Sequence, residues 1–166
     1  MHGWIFFGFD GRLNRKPYWI ATIQLTLAAI VIASAVAAAI NLSGQASTPQ
    51  ELLRVAHPWL TAFGFILAYP AAAVFAKRLQ DRNKPGWLAA LLIVPMLIES
   101  IVDPAGSFPQ TELIYWIYRV TSTMTLVVAI WFLIELGFLR GTVGDNRYGP
   151  DPLAAIDAGP VRSTAS

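Results

Sequence analysis

Ala76-Lys77-Arg78-Leu79-Gln80-Asp81-Arg82-Asn83-Lys84-Pro85-Gly86-Trp87 is a polar stretch near the middle of the chain, and long apolar runs precede and follow it. It holds four of the 12 Lys and Arg residues of the protein. A basic link between apolar runs is typical of a cytoplasmic connection between two transmembrane helices, because Lys and Arg are retained on the cytoplasmic side. The stretch therefore predicts a membrane protein and indicates on which side its other segments lie.

The composition favours the same class. Of the 166 residues, 55% are hydrophobic and 13% are charged, and the mean hydropathy is +0.53, whereas a soluble domain carries about 25% charged residues. The net charge is only +2, and the basic residues flank apolar runs, so we expect no nucleic-acid binding. The absence of Cys excludes disulfides, thiolate catalysis and cysteine-ligated metals.

Four apolar runs predict a four-helix transmembrane bundle, with spans at about residues 18–42, 58–76, 87–102 and 113–139. The first run is long enough to cross a hydrocarbon core of about 30 Å. The third is the weakest, because Pro95 and Glu99 lie near its far end, and a re-entrant segment is the alternative. Residues 1–152 then form a single all-α transmembrane domain, and residues 153–166 form a flexible C-terminal tail.

The segments beside the spans also have recognisable patterns. Residues 1–16 are aromatic and then basic, which favours a segment lying in the headgroup layer. A cleavable signal peptide is the alternative for the first span, although its apolar run is longer than such peptides use. Thr48-Pro49-Gln50-Glu51 has the spacing of a capping box and predicts a short surface helix over residues 49–56. Small residues recur every four positions in the second span and predict a helix-packing groove at Gly64, Ala68, Ala72 and Ala76.

The distribution of basic residues predicts the orientation. With four spans, both termini and the central polar stretch share one side of the membrane. That side holds Arg12, Arg15, Lys16, Lys77, Arg78, Arg82, Lys84, Arg140, Arg147 and Arg162, and the other side holds only Arg54 and Arg119. Because basic residues mark the cytoplasmic side, we expect both termini to be cytoplasmic.

Three polar stretches on this side carry a pattern of Gly, Arg, Asn and aromatic residues. The residues are Gly11, Arg12, Asn14, Arg15, Tyr18 and Trp19; then Arg78, Leu79, Asp81, Gly86 and Trp87; then Gly141, Gly144, Asn146, Tyr148 and Gly149. In this order and spacing they resemble the small bacterial inner-membrane proteins of the YhaH and YhaI type, which share domain of unknown function 805. Pro85 departs from the pattern, which more often has a small polar residue there. The resemblance implies a four-helix, multi-pass protein of the bacterial inner (plasma) membrane, and it implies no reaction.

The three stretches predict a cytoplasmic polar cluster. Its candidate members are Arg12, Arg15, Arg78, Asp81, Arg82, Asn146 and Arg147. Arg12 or Arg15 could bind the carboxylate of Asp81 or a lipid phosphate, because guanidinium groups grip both. The alternative is that these residues are only topology anchors, solvated among the headgroups.

Glu135 is the candidate intramembrane acid. A carboxylate within a span faces protein or water, so Glu135 either handles protons or cations or pairs with a basic residue such as Arg78 or Arg140. His2 and His57 are isolated, so we expect no metal, and no catalytic or cofactor-binding motif is visible in the sequence.

Three classes of function remain open. The pattern favours a non-enzymatic integral membrane protein whose basic face binds anionic lipid headgroups or a protein partner, which could be a second copy of the chain. A small transporter or channel subunit is the alternative and would need polar residues in the spans, of which Gln24 and Glu135 are examples. A membrane enzyme is disfavoured because no acid–base pair is apparent.

Overall fold

The computed structural model describes residues 3–101 and 111–153, and within these ranges the regular structure is helical. The elements are α1 (Gly3–Phe7), α2 (Arg15–Leu42), α3 (Pro49–Asp81), a 3₁₀ turn (Gly86–Ala89), α4 (Ala90–Ile101), α5 (Glu112–Phe132) and a π-helical segment (Leu133–Phe138). Most of the segment between the third and fourth predicted spans, nearly all of the predicted tail at residues 153–166, and Arg162 lie outside the described residues.

The long helices confirm the helical membrane class. In the described part of the chain, three helices are long and apolar enough to cross a membrane, Arg15–Leu42, Pro49–Asp81 and Glu112–Phe138. The apolar helix Gly86–Ile101 is shorter and spans about 24 Å at 1.5 Å per residue. It corresponds to the third predicted span, which the sequence indicated to be the weakest.

Helix α3 corrects one prediction. The capping box is present, because Glu51 N donates to Thr48 Oγ1 at 3.2 Å and Thr48 N donates to Glu51 Oε2 at 3.2 Å. The separate surface helix over residues 49–56 is wrong, since the helix continues through Pro58 and Pro70 to Asp81. Neighbouring helices support proline-containing helices in a membrane, so the missing N–H groups do not end α3.

The helices pack in chain order. Helix α2 packs on α3, α3 packs on α4, α4 packs on α5, and the π-helical segment returns to contact α2 and α3. The main hydrophobic core lies where α2 begins and α3 ends, with Tyr18, Val74, Leu79, Phe132 and Leu136 among its buried members. Tight packing is therefore concentrated at the end of the bundle that carries the polar stretches.

The small-residue stripe of α3 is only partly a packing surface. Ala68 and Ala76 are buried, with 6% and 2% of their surfaces exposed. A Cβ placed on Gly64 would have no neighbouring atom within 4 Å. The predicted groove is therefore wrong at Gly64, which faces open space.

Candidate functional site

Arg12, Arg78 and Asp81 form a buried ion cluster, which we call the arginine–aspartate cluster. Arg12 Nε lies 3.2 Å from Asp81 Oδ1, and Arg78 Nη1 pairs with Asp81 Oδ2. Each residue exposes 6% of its surface or less. A carboxylate between two guanidinium groups is stable away from water because every charge has a hydrogen-bonded partner. Arg12 is held there because Leu13 N donates to Lys77 O at 3.3 Å.

Arg78 binds the end of the last helix. Its Nε donates to Leu136 O at 2.7 Å, and its Nη2 donates to Leu139 O at 2.6 Å. The last carbonyls of a helix have no partner within the helix, and a cation there also complements the helix dipole. The π-helical segment brings these carbonyls to Arg78, so a side chain from α3 caps the end of the last span.

Arg12 binds the loop that follows the last helix. Its Nη2 donates to Thr142 O at 2.5 Å, and its Nη1 donates to Gly144 O at 2.6 Å and to Gly149 O at 3.3 Å. The backbone of Asp81 joins the same loop, since Thr142 N donates to its carbonyl oxygen at 2.8 Å. The first and last polar stretches are thus tied together through the central one.

Asn146 shapes this loop. Its Nδ2 donates to Gln80 O at 3.0 Å and to Thr142 Oγ1 at 2.8 Å. Its backbone exchanges hydrogen bonds with Gly149, which has φ +132° and so favours glycine. Arg147 lies further out, where its Nη2 donates to Asn83 O at 3.1 Å.

Glu135 is buried but its partners differ from the predicted ones. Its Oε1 lies 2.9 Å from Arg82 Nε and 3.3 Å from Lys84 Nζ. The predicted pairing with a basic residue at this end of the bundle is confirmed. The two residues given as examples, Arg78 and Arg140, are not the partners, because Arg78 binds Asp81 and helix-end carbonyls. Arg140 instead contributes its carbonyl oxygen, which accepts from Arg82 Nη1.

Arg15 does not contact Asp81, so that predicted alternative is wrong. Its Nη1 donates to Phe138 O at 3.2 Å, and its side chain lines a cavity of about 440 Å³. Lys16, Arg140 and Asp151 line the same cavity, which we call the basic cavity. In the described part of the chain, the side chains of Lys16 and Arg140 have no hydrogen-bond or ion-pair partner.

Asp151 is a half-buried acid in the lining of this cavity. Its pKa lies below the usual value, because its carboxylate accepts hydrogen bonds from the backbone N–H groups of Leu153 and Gly144. The carboxylate is therefore used to hold the loop that Arg12 also binds.

Sequence reasoning missed several contributors. Lys77 is fully buried, and its Nζ donates to Ile5 O at 2.9 Å, which ties α1 to α3. A Cβ at Gly141 would overlap the carboxylate of Asp81, and one at Gly137 would lie 2.8 Å from the ring of Trp19. Both glycines are therefore sites of close approach. The spaced glycines of the third stretch were the available signal for Gly141, whereas Gly137 lies outside that stretch.

Comparison with known proteins identifies the same family that the motif residues of the three polar stretches resemble. The profile of the family described as "Protein of unknown function (DUF805)" matches residues 6–150. "Uncharacterized protein YiiR" of Escherichia coli is 32% identical over 149 residues, covering 89% of this chain and 87% of that protein. "Inner membrane protein YhaI" of Escherichia coli is 30% identical over 146 residues, covering 87% and 86%. "Inner membrane protein YhaH" of the same organism is 25% identical over 145 residues, covering 87% of each.

No solved structure matches the chain. The names of two relatives, together with helices long enough to cross a membrane, confirm the predicted localisation in a bacterial inner membrane. The family match covers all three polar stretches that meet at the arginine–aspartate cluster. The chain belongs to the DUF805 family of proteins of unknown function.

Proposed function

We propose that this protein is a non-enzymatic, four-span inner-membrane protein with both termini in the cytoplasm. We propose further that its basic cytoplasmic face binds the headgroup of an anionic phospholipid. The observation that carries the proposal is the basic cavity, which Arg15, Lys16 and Arg140 line.

The contacts at one end of the bundle support the four-span arrangement. The loop before α2, the end of α3 and the end of the π-helical segment all meet at the arginine–aspartate cluster. Helix α4 begins shortly after Asp81, and it packs on α5. If α4 crosses the membrane away from the cluster, α5 can cross back and end beside the arginine–aspartate cluster. The basic residues concentrated at this end favour the cytoplasmic side.

The position of the basic cavity suits a lipid phosphate. It adjoins the beginning of α2, where the first backbone N–H groups of the helix have no intrahelical partner and the helix dipole is positive. Asp81 also lines the cavity, but Arg12 and Arg78 already neutralise it. The remaining cations lie where the transmembrane helices end, which is the level of the headgroups of anionic lipids.

Native mass spectrometry of the purified protein tests this proposal. We expect more bound phosphatidylglycerol than phosphatidylcholine. The headgroup of phosphatidylglycerol has a net negative charge that Lys16 and Arg140 can bind, whereas the headgroup of phosphatidylcholine has no net charge. A Lys16→Gln, Arg140→Gln double variant should lose most of this preference. These positions are suitable because neither side chain forms a hydrogen bond or an ion pair with the described residues, so the fold should persist.

The matched control is the Arg54→Gln, Arg119→Gln double variant, which removes two charges from the opposite end of the bundle. It should retain the preference for phosphatidylglycerol. Equal preference in wild type and the Lys16/Arg140 variant would contradict the proposal. Displacement of the lipid by inorganic phosphate at equal concentration would also contradict it, since the site would then recognise a soluble anion.

A further inference from the structure

Glu99 is a half-buried carboxylate near the far end of α4. It lies on α4, and the path from Gly86 to Glu99 rises about 20 Å from the end that carries the arginine–aspartate cluster. Its Oε1 accepts a hydrogen bond from Thr125 Oγ1 of α5 at 2.5 Å. Glu99 is two residues from the end of α4, so the carboxylate lies towards the opposite end of the bundle. An ionisable side chain on an apolar membrane helix is costly and often marks a functional site.

The charges around Glu99 differ from those around the other acids of the bundle. Asp81 pairs with two arginines, and Glu135 pairs with Arg82 and Lys84. Within residues 3–101 and 111–153, neither Lys nor Arg pairs with Glu99. Its second oxygen, Oε2, has no hydrogen-bond partner in the same ranges. Of these three carboxylates, Glu99 is therefore the one for which the described chain supplies no Lys or Arg.

A cavity of about 350 Å³ adjoins this carboxylate, and we call it the Glu99 cavity. Its lining comes from α3, α4 and α5 and includes His57, Leu60, Thr61, Met96, Glu99 and Tyr118. Thr61 Oγ1 donates to Ser100 O at 2.7 Å, which ties α3 to α4 beside the cavity. Hydrogen bonds between the helices thus hold the carboxylate and the cavity wall in place.

We propose that the Glu99 cavity binds a small organic cation, with its ammonium group paired to Glu99. The cavity is far larger than a bare metal ion needs and falls within the size of small-molecule pockets. Tyr118 lines the cavity and supplies an aromatic ring, a group that attracts cations, and Leu60 and Met96 offer apolar contact to a hydrocarbon or aromatic group. One fixed charge among apolar and aromatic walls is typical of such sites.

This site is separate from the basic cavity, which lies at the other end of α3 and has the opposite charge. The inference therefore goes beyond the proposed lipid binding, and neither depends on the other. The protein would then bind an organic cation in the Glu99 cavity in addition to an anionic lipid in the basic cavity.

Isothermal titration of the purified full-length protein in nanodiscs with benzylammonium tests the inference. We expect saturable binding of benzylammonium and no saturable binding of benzyl alcohol, its neutral analogue of nearly the same shape. Glu99→Gln should weaken benzylammonium binding by about ten-fold or more, because it removes the charge and keeps the size of the side chain. Tyr118→Leu should weaken it by a smaller factor, through loss of the ring face.

Glu112→Gln is the matched control, because Glu112 is an exposed acid at the start of α5, and it should leave the affinity unchanged. Met96→Trp keeps the carboxylate and fills the cavity, so it should also abolish binding even if Glu99→Gln fails to fold. Equal binding of benzylammonium and benzyl alcohol would overturn the inference. Unchanged affinity in Glu99→Gln or in Met96→Trp would overturn it as well, as would the absence of any binding to the folded wild type.

Discussion

Asp81 joins the three polar stretches through both its side chain and its backbone. Its carboxylate binds Arg12 and Arg78, and its carbonyl oxygen accepts from the backbone and the hydroxyl of Thr142. Removing one partner of a buried ion pair is more damaging than removing an exposed charge, because the remaining cations lose their compensation.

Asp81→Asn should destabilise the bundle by about 3 kcal/mol, because Arg12 and Arg78 would remain buried without a counter-charge. Thermal unfolding in detergent measures the loss, and it should be nearly the same at low and high salt, since buried charges are poorly screened. Asp81→Glu keeps the charge and should cost less. An unchanged melting temperature for Asp81→Asn would show that Asp81 is a solvated surface residue.

Gly141→Ala should also destabilise the protein, because the new Cβ would overlap the carboxylate of Asp81. The loss should approach that of Asp81→Asn, since both changes disrupt the same ion pairs. Gly64→Ala is the matched control, because a Cβ there meets no atom within 4 Å and Ala is the better helix former. Comparing the melting temperatures of the two variants checks the prediction, and equal values would contradict it.

In the arginine–aspartate cluster, contacts between two charged side chains could be predicted from the sequence, but contacts between a side chain and the backbone could not. The charges and order of the polar stretches suggested that Arg12 would reach Asp81. The bonds from Arg12 to the carbonyls of Thr142, Gly144 and Gly149 left no such signal, because every residue carries a carbonyl. That Glu135 pairs with a basic residue was predictable, but which one was not, because Arg78 is used by Asp81 and by backbone carbonyls.

At the scale of the elements, the existence of each helix followed from its apolar run, but its ends did not. Helix α3 extends the second predicted span at both ends because Thr48 caps it early and because Asp81 is stabilised by other segments. The widened final turns from Leu133 to Phe138 had no sequence signature. They arise where Arg15, Trp19 and Arg78 bind the carbonyls of Phe138, Gly137 and Leu136.

Ala68→Leu should lower the melting temperature, because Ala68 is buried at a helix contact and a larger side chain would be overpacked. A cost of about 1–3 kcal/mol is expected. Ala62→Leu is the matched control, since Ala62 lies on the exposed surface of the same helix. Thermal unfolding of both variants distinguishes a packed face from a lipid-facing one, and equal stability would indicate that Ala68 also faces lipid.

At the scale of the whole molecule, composition and charge indicated the class and the membrane. How the helices pack was not readable, because lipid-facing and protein-facing apolar residues look alike in sequence. Much of α2 faces outward, with Ile23, Leu27 and Val31 each more than half exposed. Only the helix ends that carry the polar stretches contain charged residues from which contacts between segments could be predicted.

An alkaline phosphatase fusion after Ser166 tests the orientation of the whole molecule. We expect no enzymatic activity, because the proposed topology leaves the C-terminus in the cytoplasm, where this reporter does not fold. A fusion within the loop at residues 43–47, between α2 and α3, should be active. Reversal of the two results would contradict the proposed orientation.

The hydrogen bonds from Arg12 to the loop at residues 142–149 also constrain the timing of biogenesis. Arg12 leaves the ribosome early, whereas its carbonyl partners are among the last segments to be translated. Until then, Arg12 and Asp81 can pair, but the loop cannot close over them. Maturation of the cytoplasmic face is therefore a late event, and a chain truncated before Thr142 would insert its helices and still display an unfinished surface to membrane proteases.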